Sequence, residues 1–227
     1  MGKPELLAAL AFELGPLHVG PAVLTTWLLM ALLGVCSALA TRRLQADHPG
    51  RIQALLEGVV AALDDAIRTL APAHADQLLP FIGTLWIFVA TANLAGLLPG
   101  LRSPTGELPV TVALAALVFG AVHWFGLRAV GLKAYLRHYL APNPLLLPFH
   151  LLSEVTRTVA LAIRLFGNIM SLEMAALLVL LVAGLFAPVP LLMLHIVEAL
   201  VQAYIFGILA LVYIAGGLES QPLQHKE

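Results

Sequence analysis

Residues 21–41, 78–101 and 199–218 contain no charged side chain, and each stretch is long enough to cross a bilayer as a helix. About 20 apolar residues span the ~30 Å hydrocarbon layer. Residues 108–127 form a fourth such run, with His123 as its only ionisable group. A fifth region, residues 148–186, is longer than one simple span and carries Glu154, Arg157, Arg164 and Glu173. Composition points the same way. Of the 227 residues, 60% are hydrophobic and 11% charged, whereas a soluble domain has about 25% charged residues. A soluble globule of this size has no way to hide so much apolar surface. That excludes a soluble enzyme, a disordered tail and a disulfide scaffold. The expectation is an all-α, multi-pass membrane protein with about five membrane-embedded helices, forming a single membrane domain over residues 1–227.

The charge balance of −1 lacks the basic excess of a nucleic-acid binder. Cys36, the lone cysteine, cannot form an intrachain disulfide. Inside an apolar run it is expected to be buried packing, as free cysteines usually are. No zinc-ligand pattern is present, and no metal or cofactor is expected. Lys3, Glu5 and Glu13 interrupt the N-terminus where a cleavable signal peptide needs an apolar core, so the first run is expected to stay in the mature protein.

One segment is amphipathic. Ile52, Leu55, Leu56, Val59, Leu63, Ile67 and Leu70 recur at helical spacing, with Glu57, Asp64 and Arg68 between them. The pattern predicts a helix over residues 52–70 lying at the membrane interface. Asn143-Pro144 and Pro148 mark the entry to a last pair of helices, and Ala187-Pro188-Val189-Pro190 marks the break between them. The reading is a long tilted hairpin over 148–186 and 190–218. Basic residues set orientation. Arg42, Arg43, Arg51 and Arg68 follow the first span, Arg128, Lys133 and Arg137 follow the third, and Lys226 lies at the C-terminus. Those are expected to be cytoplasmic, with Lys3 and Arg102 on the other side. Five crossings then put the N-terminus outside and the C-terminus inside.

Polar groups at membrane depth carry the functional signal. An arginine at the bilayer centre costs roughly 2.5–3.5 kcal/mol on insertion scales. Arg164 lies about sixteen residues into its helix, or ~24 Å along it, too deep to snorkel back to the entry side. It is either half of an ion pair with Glu173 or Glu198, or a group on an ion pathway. Arg157, Leu161, Arg164 and Asn168 fall near one face. The guanidinium stays protonated, so it can attract a passing carboxylate without carrying a proton itself. Asn168, one turn on, can position it or bond another helix. On the last helix His195, Glu198 and Gln202 share a stripe. Histidine and carboxylate can relay protons, and Gln202 is a fixed hydrogen-bonding partner. Glu173 is on the opposite side of its helix from Arg164 and should serve a different route.

Arg164-Leu165-Phe166-Gly167-Asn168 resembles the signature of subunit a of the F-type ATP synthase. Pro80-Phe81-Ile82-Gly83-Thr84-Leu85, followed by Asn93-Leu94-Ala95-Gly96-Leu97-Leu98-Pro99-Gly100, is similar to that family's second-span pattern. Ser103-Pro104-Thr105 opens the next span. Gln202-Ala203-Tyr204-Ile205-Phe206 and then Tyr213-Ile214 look like its last helix. Together these motifs cover about residues 78–218.

The resemblance implies a membrane stator beside a rotating ring of c subunits, held by b-type peripheral-stalk subunits. It implies a place among the other ATP synthase subunits in a bacterial plasma (inner) membrane. Two half-channels pass protons, or Na⁺ in the alternative, to and from a ring carboxylate. Arg164 matches the family's essential arginine, which attracts the unloaded carboxylate and blocks leakage. Asn168 matches its asparagine one turn later. Glu173 and His195 match groups in the access path, and Gln202 matches the polar residue facing the arginine. Glu198 has no counterpart. Ser171-Leu172 replaces a small Ala-Gly pair, and Ala160 stands where serine is common. The chain itself is expected to be no enzyme. A stand-alone channel or secondary transporter competes, but it calls for an internal repeat and a helix broken at mid-membrane, and the sequence shows neither. An intramembrane enzyme calls for a nucleophile or metal motif, such as GxSxG or HExxH, which the sequence also lacks.

Overall fold

A computed structural model describes residues 12–14, 17–42, 50–98, 101, 103–132, 135, 147–184 and 189–219. It is a helical protein. The helices are α1 (Pro21–Thr41), α2 (Arg51–Leu70), α3 (Ala75–Ala95), α4 (Leu108–Val130), α5 (Leu147–Ala183) and α6 (Val189–Glu219). Five of them, all but α2, are long and apolar enough to cross a membrane. A short antiparallel ladder precedes them, pairing Phe12–Leu14 with Leu17–Val19 in the register Phe12↔Val19 and Leu14↔Leu17. Asn143-Pro144, the basic residues Lys3, Arg43, Arg102, Lys133, Arg137 and Lys226, and Ala187-Pro188 lie outside the described residues.

Helix ends follow local chemistry. Gly20 caps α1 in an extended conformation, and Pro21 supplies a preset φ in the first turn. The helix expected over 78–101 starts three residues earlier and stops at Ala95. Leu97 N and Leu98 N then bond back three residues, to Leu94 O at 3.0 Å and Ala95 O at 3.1 Å, tightening the last turn. Gly96 allows the close approach that follows: a Cβ there would lie 3.1 Å from Ser103 Cβ and 3.2 Å from Glu173 Oε1. The hairpin break also comes sooner than expected. Helix α5 ends at Ala183 rather than 186, because Gly184 takes φ +83°, the left-handed conformation that ends helices. Helix α5 has 37 residues and α6 has 31. At ~1.5 Å per residue both exceed the hydrocarbon thickness, which favours tilt.

The core lies where α3, α4, α5 and α6 meet. Trp86, Val118, Leu161, Leu165, Phe206 and Ile214 are buried there. The buried residues of α1, Ala22, Thr25 and Leu29, all lie in its first half. Cys36, expected to be buried, is therefore exposed, since the later turns of α1 face away from the bundle. Helix α2 anchors through Ile67, which is fully buried, and through Arg68, whose guanidinium bonds Asp64 at 2.8 Å and Asp76 at 2.7 Å. These two carboxylates, Asp64 first, raise the Arg68 pKa above its ordinary value. The other end of the apolar stripe is open: Leu55, Leu56, Val59 and Val60 are exposed. That is the surface a helix resting in a bilayer interface presents.

Candidate functional site

Helices α5 and α6 meet along a seam where two of the six candidate side chains touch, with His195 and Glu198 on α6 within two turns of that contact. Asn168 on α5 donates through Nδ2 to Gln202 Oε1 on α6 at 2.5 Å. Gln202 is buried, as is His195 two turns earlier, and Glu198 sits half-buried between them. Arg164, one turn before Asn168, is on the exposed flank of α5. Among the described residues no carboxylate lies within ion-pair distance of its guanidinium. The intrachain pair with Glu173 or Glu198 is therefore not formed. Glu173 is away from the seam. Its carboxylate lies against Gly96 and Gly106, where an added Cβ would come within 3.2 Å and 3.3 Å of it.

The neighbouring elements hold α6 in place. Trp86 on α3 donates through Nε1 to Tyr204 O at 3.1 Å and stacks on the Tyr204 ring, centroids 5.7 Å apart. Gly207 makes room, since a Cβ there would collide with the indole. Asn93, also on α3, donates to Ala199 O at 3.1 Å and accepts from Thr105 at 2.7 Å. Ser103 donates to Ala92 O at 2.9 Å, and its hydroxyl is 2.6 Å from that of Thr105. Asn93, Ser103 and Thr105 are fully or almost fully buried. Their bonds run from the turn beside Glu173 to the backbone between His195 and Gln202. In a low-dielectric surrounding such groups must be paired or they cost roughly 1–3 kcal/mol each.

Two polar atoms of the seam are not satisfied by protein. His195 Nε2 and Gln202 Nε2 are buried and have no hydrogen-bond partner among the described residues. Buried polar atoms usually bond protein or ordered water, so these are the two points of the seam where a water molecule would find a partner.

Sequence reasoning missed the partnerships of Trp86 and Asn93 on α3 and of Ser103 and Thr105 in the turn after it. It has no reading of Trp86, and it takes Asn93 as a polar residue of its span and Ser103 and Thr105 as parts of a motif. Depth-dependent polarity, applied to uncharged residues as it was to charged ones, is the signal that finds the last three.

A polar seam inside a body of five helices long and apolar enough to cross a membrane, with the exposed Arg164 on its flank, defines a membrane protein with polar groups at its centre. Residues 23–215 match the family model described as ATP synthase A chain. The chain belongs to that family. It is 62% identical over 209 residues to "ATP synthase subunit a 2" of Pelobacter propionicus, covering 92% of this chain and 91% of that one. It is 63% identical over 207 residues to "ATP synthase subunit a 1" of Hahella chejuensis, covering 91% and 88%. With "ATP synthase subunit a" of Legionella pneumophila strain Corby it shares 50% identity over 224 residues, 99% and 97% of the two chains.

Proposed function

We propose that this chain is the stator subunit of the ATP synthase membrane sector, a non-catalytic subunit that carries protons to and from a rotating ring of c subunits. The observation that carries the reading is Arg164: a permanent cation at membrane depth, exposed on α5, with no acid of the described chain to pair with. Such a charge is tolerable only against a partner or water. A ring carboxylate is the partner whose chemistry fits, because a nearby cation favours its ionised form by about 1–3 pKa units. Away from Arg164 the apolar surround favours the neutral, loaded form. Moving each charge through 100 mV supplies ~2.3 kcal/mol.

Asn168 and Gln202 then act as the hinge between the cation and the access path, with His195 and Glu198 continuing that path along α6. Glu173 lines a route of its own against the turn at 103–106. The b-type peripheral-stalk subunits hold the chain against rotation. The setting is a bacterial inner membrane, N-terminus outside and C-terminus in the cytoplasm.

Gln202→Leu tests this reading. Leucine keeps the volume but removes the acceptor for Asn168 and one polar atom of the path. In membrane vesicles holding the whole complex, ATP-driven proton pumping is expected to fall about tenfold, the equivalent of ~1.4 kcal/mol. The amount of assembled complex should be unchanged. Full pumping at normal assembly would remove the seam from the pathway.

A further inference from the structure

A cavity of about 400 Å³ opens between α4, α5 and α6, and its ionisable groups have no part in the path just described. Glu154, Arg157, His150 and Ser153 line it from α5, Tyr213 from α6, and Tyr135 from the segment after α4. His123 of α4 meets the lining residue Glu154: Nε2 is 3.4 Å from Oε2, with the two side chains 28% and 22% exposed. Arg157 rests over the Tyr213 ring at 5.8 Å, and the His123 and Tyr135 rings are 6.1 Å apart.

The hydrogen-bond chemistry of His123 fixes what this pair must contain. Its Nδ1 is 2.8 Å from Phe119 O. A carbonyl oxygen only accepts, so Nδ1 carries the hydrogen. A neutral imidazole then presents a lone pair at Nε2, facing a carboxylate oxygen. Two acceptors repel. The observed approach is favourable when one proton sits between them, on Nε2 as imidazolium or on Oε2 as carboxylic acid. The pair is thus a site for a single proton, and its Glu154 side lines a cavity large enough for water.

Its place along α5 gives it a use. Glu154 precedes Arg164 by ten residues and Glu173 follows it by nine, so the two carboxylates flank the guanidinium at ~15 Å and ~14 Å along the helix. We propose that His123 and Glu154 form a proton-exchange site, taking up or releasing the transported proton on the side of Arg164 away from Glu173. Among the described residues, the groups facing this site are His150 and Arg157 from α5, Tyr213 from α6 and Tyr135. Arg157 supplies a constant positive field, held on Tyr213 rather than bound as a counter-ion.

The inference rests on the ion-pathway reading, and its test separates the two. ATP-driven proton pumping is measured across a pH series in vesicles of the whole complex, for the unaltered chain and for Glu154→Gln, Glu154→Asp, His123→Gln and Arg164→Ala, with assembly quantified for each. Glu154→Gln is expected to lower pumping about tenfold, with Glu154→Asp restoring most of it. His123→Gln should displace the pH profile by about one unit, the effect of removing a neighbouring charge. A pair that only packs α4 on α5 would leave the pH profile in place and would lose as much with Asp as with Gln; either result overturns the proposal. If Glu154→Gln fails to assemble, the His123→Gln pH profile decides alone. Loss of pumping in Arg164→Ala, with unmoved profiles in the other variants, rejects this site and leaves the pathway standing. Normal pumping in Arg164→Ala rejects both.

Discussion

Arg164→Ala is expected to abolish ATP-driven proton pumping and proton-driven ATP synthesis, a loss of about a hundredfold or more. The size follows from the shift of 1–3 pKa units that a neighbouring cation imposes on a carboxylate. Without it, a ring carboxylate reaching α5 has nothing to favour release of its proton. Assembly should survive. Arg164 is exposed and makes no ion pair with an acid of the described chain, so its removal leaves no buried charge behind. It also relieves an insertion cost of roughly 2.5–3.5 kcal/mol. Pumping and subunit content measured on the same vesicles check both halves. Coupled synthesis at the normal rate in well-assembled membranes would contradict the role.

Gly207→Leu is expected to be as severe by another route. The helix packing of α3 on α6 depends on the indole of Trp86 lying directly over the Gly207 backbone. A leucine there collides with a ring fixed on both sides, by its bond to Tyr204 O and by the Tyr204 stack. Overpacking in a tight interface costs about 1–3 kcal/mol, and here it also breaks a buried hydrogen bond. The subunit should fall to a small fraction of its usual level in membranes. Adding Trp86→Ala to Gly207→Leu should recover a large part of that level, because the space vacated by the indole accepts the leucine. A quantitative immunoblot of the single and double variants reads this. Equal, normal levels of all three would show that the clamp does not hold α6.

The helical architecture was legible because it is written in local pattern. Uncharged runs near 20 residues and the polar stripe His195, Glu198, Gln202 need no knowledge of neighbours. The resemblance around Arg164-Leu165-Phe166-Gly167-Asn168 brought the family into view, and the match over residues 23–215 bears it out. Helix ends were less legible. The break was expected at two prolines, but Gly184 ends α5 before they are reached, because a left-handed glycine competes locally with helix continuation. The long-range partnerships were not legible at all. Trp86 and Gly207 are far apart in the chain, and nothing near either predicts that one must be flat and the other without a side chain. Nor did the pattern show that Arg157 would sit on Tyr213, or that His123 would find Glu154 across two helices. Cys36 failed for a related reason. An apolar run says that a residue avoids water, and in a membrane lipid meets that requirement as well as a protein core does.

Cross-linking tests the central claim most directly. Ala160 and Ser171 flank Arg164 on its side of α5 and are exposed, whereas Val155 is exposed on the opposite side. Each is replaced by cysteine in a Cys36→Ser background, paired with a cysteine placed one turn from the ring carboxylate of the c subunit, and oxidised in native membranes. The account predicts disulfides to the c subunit from positions 160 and 171 and none from 155. Cross-links from 155 with none from 160 or 171 would turn the Arg164 face away from the rotor and contradict it.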